Sequence, residues 1–355
     1  MNLKNRMILE DFRKRRDDFV KLGDLVHEQL RDIVKSAGIG EILGIEHRVK
    51  TEKSLAGKLE RNADLYQSME DLTDLLGARV ICFFSDEVDL IGKLVEKHFI
   101  IDWENSSDKR ALIKADTFGY LSLHYICSVS PELGYPAEVC GLKFEIQIRT
   151  NLQHTWAAIN HDLGYKSEFG VPRVVARQFA RIAGLLEIAD DEFVRARDTM
   201  NNYTEEIRQK IVDNSADDVR IDMISLSEYV KRNKKMQEFL GELAAISGAE
   251  ISQVNPDAYI EQLAWFGIKT LGGLQDALEQ NHDLALALAK KSLDNADLDI
   301  LASHVGLRYI CRAKLLSDGY PQNKAVEFLK LSLGNEQRAV RQAKYLYDTY
   351  AKLQG

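Results

Sequence analysis

The chain has 355 residues, of which 45% are hydrophobic and 29% charged, and it carries a formal net charge of −8. This is an ordinary globular composition, and the chain is long enough to bury a sizeable core without a disulfide or metal staple. The acidic balance argues against a surface built for a long duplex, which needs many Lys and Arg, so local basic clusters point to a small phosphorylated ligand.

As a prior, the length suggests two domains. The four cysteines Cys82, Cys127, Cys140 and Cys311 form no Cys-x-x-Cys pair and sit mostly in apolar runs, as free thiols do in a reducing compartment. Met1 to Arg16 is charged and lacks the apolar stretch of a secretory signal. No apolar run approaches the length of a membrane span. A cytoplasmic location is expected.

In chain order, Phe12, Phe19, Leu22, Val26 and Ile33 recur at helical spacing, and Gly38, Gly40 and Gly44 then punctuate the chain before His47. A second helical stretch runs through Leu55, Leu59 and Leu65. The pattern changes at Ala78, where Ala78 to Phe84 reads as a buried strand. A helix follows from Glu87 to Lys97, then strands at Phe99 to Trp103, Leu121 to Val129 and Phe144 to Thr150. No further strand stands out. Asn151 to Val212 looks helical, Asn214 to Asp218 is a polar linker candidate, and the remainder to Gly355 is helical with stripes such as Leu284, Leu288 and Leu293. The order predicts an α+β fold, a mixed sheet flanked by helices and followed by an all-α C-terminal region.

Five clusters carry chemistry. In the last strand Glu145, Gln147 and Arg149 share one face, opposite Phe144, Ile146 and Ile148. Tyr120, Ser122 and His124 align in the same way after Gly119. Either face, taken alone, reads equally as the solvent side of a sheet. Asp74 precedes Gly77 and the buried strand, with Arg79 just inside it. Arg48, Lys50, Lys53 and Lys58 gather around a helix start expected at Ser54, an arrangement that suits phosphate. Beyond the last strand, Trp156, Ile159 and Leu163 form an apolar stripe, while His154 and His161 present imidazoles without a third metal ligand.

In joint order, Arg48-x-Lys50…Ser54…Lys58, Asp74-x-x-Gly77-x-Arg79, Asp108-Lys109, Gly119-Tyr120-x-Ser122-x-His124, Glu145 to Thr150 and Trp156…His161 form a series that resembles the RelA/SpoT alarmone synthetases. The resemblance runs from about Asp18 to Thr199. It implies a synthetase domain over residues 1–213 and a separate helical region over 219–355. The implied reaction moves the β,γ-pyrophosphate of ATP to the ribose 3′-hydroxyl of GDP or GTP, making ppGpp or pppGpp. It further implies that Arg48 and Arg79 sandwich adenine. Lys50, Ser54 and Lys58 would hold the ATP phosphates, and Asp74 and Glu145 would bind Mg2+. Glu145 would also take the proton of the attacking hydroxyl. Tyr120 would stack on guanine, with Gln147, His124, His154 and His161 on the acceptor side and Lys109 at its phosphates.

Two departures bear on the acceptor. Leu121 stands where the family commonly has Arg, and Gln153-His154 stands where Met-Asp or Met-Asn is usual. Nothing matches the hydrolase domain of long family members, so synthesis without hydrolysis is expected. In the C-terminal part, Leu263 to Leu274 faintly resembles a helix–hairpin–helix, although a packed helical turn closed by Gly267 is the favoured reading. The apolar stripes there suit either homo-oligomerisation or an inhibitory contact. Two other readings remain: a toxin-like enzyme that pyrophosphorylates the tRNA 3′ end or adenosine nucleotides, and a non-catalytic nucleotide sensor.

Overall fold

The computed structural model describes residues 3–62, 65–108, 122–165, 172–293 and 298–354. The chain divides into two compact units, Met1–Arg197 and Asp198–Gly355.

The first unit opens with α1 (Leu3–Ser36), followed by β1 (Gly44–Val49), α2 (Glu52–Arg61), β2 (Leu76–Cys82), α3 (Ser85–His98), β3 (Ile100–Ile101), β4 (Ser107–Asp108), β5 (Leu123–Ser128), β6 (Phe144–Thr150), α4 (Asn151–Tyr165) and the start of α5 (Arg173–Val212). The sheet runs β1-β2-β6-β5-β3, with β4 also on β5. Only β2 and β6 pair in parallel, at the centre; the other pairs are antiparallel. It is the mixed sheet expected.

Its apolar face is covered because the helices carry matching stripes. Ile8, Phe12, Phe19, Leu22, Val26, Leu30 and Ile33 line one side of α1, and Val88, Ile91 and Val95 one side of α3; all are buried. They meet Val80, Phe144, Ile146 and Ile148 in one core. Each such side chain contributes about 1.5–3 kcal/mol relative to exposure. The close fit of α1 depends on Gly23, where an added Cβ would lie 2.6 Å from His47 Cδ2.

Two local expectations are corrected here. β1 replaces the irregular stretch read around Gly44 and His47: its short, mixed sequence hides an edge strand antiparallel to β2. The second helix starts at Glu52, capped by Thr51, whose Oγ1 accepts from the Ser54 N–H at 3.2 Å. Ser54 is therefore not the cap, and its hydroxyl is spared that role.

The second unit contains the end of α5, then α6 (Met223–Arg232), α7 (Lys234–Ser247), β7 (Glu250–Ser252), α8 (Ala258–Trp265), α9 (Leu271–Leu293), β8 (Ile300–Ala302), α10 (Val305–Ser317), α11 (Gln322–Leu333) and α12 (Glu336–Gln354). It is helical, with one addition to the reading above: β7 and β8 form a two-stranded parallel sheet, each only three residues long. Tyr229, Phe239, Tyr309 and Phe328 anchor its core, which includes Ile207 and Ile211 of α5. The polar Asn214–Asp218 segment thus follows residues that already belong to this core, and the division falls earlier, at Arg197.

Leu263 to Leu274 forms α8, a turn with Gly267 at φ +75°, and the start of α9. A helix–hairpin–helix would offer the first amides of its second helix to a phosphate. Here Leu271 N–H donates to Val219 O, Gly272 N–H to Asp217 O and Gly273 N–H to Thr270 Oγ1. The donors are spent internally, and the turn packs the unit together. Among the described residues no helix is long and apolar enough to cross a membrane.

Candidate active site

The polar face of the sheet is built by cross-strand rows. Pairing places Arg48 opposite Gly77, which is opposite Glu145; the next row runs Glu46, Arg79, Gln147 and His124. Side chains two apart on a strand share a face, so these rows bring distant segments into one surface. Gly77 leaves its place open, since a Cβ there would meet nothing within 4 Å.

Over this face lies a cavity of about 170 Å³ lined by Arg48, Lys50, Ser54, Asp74, Arg79, Glu145 and Gln147, among others. Lys50 Nζ donates to Asp74 Oδ2 at 2.7 Å and Lys58 Nζ to Oδ1 at 2.8 Å. Burial alone would raise the Asp74 pKa, but the two ammonium groups outweigh it and hold the carboxyl below its ordinary value. Asp74 is therefore an anion at neutral pH. The two carboxylates that the sequence set far apart share one cavity.

A second cavity, of about 570 Å³, adjoins it through Arg48, Arg79 and Gln147, and is otherwise lined by Ser122, His124, Arg149, Gln153, His154, Trp156, Asn160 and His161 with two alanines. Ser122 and His124 are buried, so this strand does not turn its polar side to solvent. His124 bridges: its Nε2 is 2.6 Å from Ser122 Oγ and its Nδ1 2.6 Å from Glu145 Oε1. The other carboxylate oxygen, Glu145 Oε2, accepts from Gln147 Nε2 at 2.8 Å. Gln147 Oε1 in turn accepts from Arg79 Nε at 3.2 Å and Arg149 Nη2 at 3.0 Å. His154 Nδ1 is buried and has no partner among the described residues. Burial, then Arg149, lowers the His154 pKa, which favours the neutral ring.

Arg149 is the residue the reading above noted but did not assign. It is buried, its Nε has no partner among the described residues, and burial followed by repulsion from Arg79 pushes its pKa down to about 10. Its alternation with Glu145 and Gln147 was the available signal. Gln153 has a structural explanation. Its Oε1 accepts from Thr150 N–H at 2.9 Å while its own N–H donates to Thr150 Oγ1, closing the β6–α4 junction. Lys109, Tyr120 and Leu121 lie outside the described residues. Among the described residues no group of three or more His, Cys, Asp or Glu is placed to hold a metal, and His154 and His161 form no such group.

Residues 47–169 match a region found in RelA / SpoT proteins. That span of the chain is similar to a RelA/SpoT-type domain. Two relatives from Bacillus subtilis (strain 168) align with it: GTP pyrophosphokinase YwaC, 28% identical over 156 residues, covering 42% of this chain and 72% of that protein, and GTP pyrophosphokinase YjbM, 29% identical over 157 residues, covering 42% and 69%. A GTP pyrophosphokinase family protein from Streptococcus pneumoniae is a similar solved structure, with a TM-score of 0.46 and 25% identity, covering 57% of this chain and 97% of that one. The matched span contains every candidate residue named above. It ends before the second unit, which lies wholly outside the RelA/SpoT region.

Proposed function

We infer that the chain is a GTP pyrophosphokinase, transferring the β,γ-pyrophosphate of ATP to the ribose 3′-hydroxyl of GDP or GTP. One observation carries the reading: Asp74 and Glu145 line a cation-rich cavity that adjoins a second, larger one across Arg48, Arg79 and Gln147. Two joined cavities suit two nucleotides, a donor and an acceptor.

In this reading ATP occupies the first cavity. Arg48 and Arg79 offer planar guanidinium faces to adenine. Lys50, Ser54 and Lys58 receive the phosphates, the lysines exchanging Asp74 for phosphate oxygens. The acceptor occupies the second cavity, with His124, Gln147, His154 and His161 around it and Tyr120 and Lys109 contributing from outside the described residues. Glu145 takes the proton of the 3′-hydroxyl as its oxygen bonds to the β-phosphorus. The bond from that phosphorus to the oxygen of the α-phosphate breaks, and AMP leaves. Bonds to His124 and Gln147 fix both Glu145 oxygens, so the base is oriented before substrate arrives.

Magnesium fits this donor set. Mg2+ is commonly held by one or two carboxylates together with substrate phosphates. Asp74 is ionised and already accepts two cationic groups, while its oxygens offer about four acceptor positions in all. Asp74 and Glu145 would hold the ion, which would neutralise charge building on the transferred group.

The test is a product assay with ATP, magnesium and a panel of acceptors. A 3′-pyrophosphorylated guanosine and AMP are expected with GDP or GTP. Label passing from γ-labelled ATP to tRNA or an adenosine nucleotide but not to GDP or GTP, or ATP left intact, would overturn the reading.

A further inference from the structure

Several cations of the second unit have no carboxylate partner among the described residues. His304, the N-cap of α10, and Arg308 and Arg312 within the helix follow one another at four-residue spacing, and the two arginines share one face with Cβ atoms about 6 Å apart. Neither arginine forms an ion pair among the described residues, although both are partly buried. By contrast Lys314, on the same helix, is held by Asp318 at 3.1 Å. Arg312 Nη2 donates to Gln342 Oε1 at 3.5 Å, and its guanidinium stands 6.0 Å from the Tyr309 ring centre. Arg308 lies close enough to Tyr259 that its charge opposes the upward push burial gives the phenol pKa. His304 Nδ1 is buried without a partner among the described residues, its ring 5.4 Å from that of Tyr259.

Burial and the charge of Arg308 both push the Arg312 pKa down, so this pair is held at a cost. Like charges one turn apart repel. An oxyanion between them would reverse that cost, because guanidinium forks match phosphate oxygens in bidentate geometry. Gln342 and Tyr345 approach Arg312 from α12. One turn from them, on the same α12 face, stand Arg338 and Arg341, both exposed and neither ion-paired among the described residues.

We propose that the α10–α12 face of the second unit is a binding site for phosphate oxyanions, with Arg308 and Arg312 as paired contacts and Arg338 and Arg341 as its rim. The site is independent of the activity assigned to the first unit. Its ligand chemistry is a multiply charged phosphate flanked by aromatic rings, as a nucleoside polyphosphate or a single-stranded RNA backbone would supply.

Titration calorimetry of the full chain with inorganic tripolyphosphate at low salt tests the proposal. The first unit also offers cations to phosphate, so two classes of site are expected. Arg308→Gln/Arg312→Gln should weaken one class by about tenfold or more. Arg338→Glu/Arg341→Glu, at exposed positions that leave the packing intact, should weaken the same class. Competition by GTP alone would identify a nucleotide site; competition by a short RNA, with affinity falling steeply as salt rises, would identify a backbone site. A single class of site in the wild-type chain, unchanged binding in both variants, or failure of GTP and RNA alike to compete would overturn the proposal.

Discussion

Both Glu145 oxygens have bonding partners, in His124 and Gln147, and that determines what its removal should do. Glu145→Gln preserves size and keeps partners for His124 and Gln147, but it cannot accept a proton. We expect kcat to fall by about 10²–10⁴-fold and the Mg2+ concentration needed for half-maximal rate to rise, as steady-state kinetics would show. His154 makes a second residue-level prediction. Its folded pKa lies below the ordinary 6.5, burial being the main cause and Arg149 the next. Below that ordinary value the unfolded chain takes up a proton that the folded chain refuses, so stability is lost on acidification through this window and unaffected above it. Melting measured against pH should show a steeper acid decline in the wild-type chain than in His154→Gln. Equal slopes would show that the ring titrates normally.

At the level of elements, β6 was legible in the sequence to the residue, because Phe144, Ile146 and Ile148 alternate with three polar neighbours and nothing interrupts them. β1 was not, since Gly44, Glu46 and His47 carry no strand signal and the element exists only through its pairing with β2. β7 and β8 are three residues each, too short for any period to appear. Among the site residues, motif order marked Asp74 and Glu145, while Arg149 needed the register to be assigned. Pairing also makes two glycines informative. Gly23→Val would drive a methyl-bearing Cβ into His47 and should cost about 1–3 kcal/mol, seen as a lowered melting temperature. Gly77→Val meets open space, so it should fold normally yet intrude between Arg48 and Glu145 and weaken ATP by about tenfold. The same type of substitution thus separates packing from ligand space.

For the whole molecule, the polar Asn214–Asp218 segment looked like the join, but cores are defined by burial and not by local polarity. Ile207 and Ile211 are 1% and 3% exposed and lie within the second core. A fragment starting at residue 214 would lack both. We expect it to be less stable than one starting at 198 by about 3–6 kcal/mol, from two buried isoleucines at about 1.5–3 kcal/mol each, measurable by urea titration. Equal midpoints would mean that these residues bury nothing essential to the second unit.

Gln147 faces two guanidinium groups on one side and a carboxylate on the other. Of the common side chains, an amide suits this position well, because its dipole presents oxygen to cations and hydrogen to an anion while carrying no charge of its own. Glutamate at 147 would satisfy the arginines but set two acids edge to edge, and lysine would do the reverse. An electrically neutral spacer thus lets a row of guanidinium groups and a carboxylate occupy adjacent strands without cancelling one another.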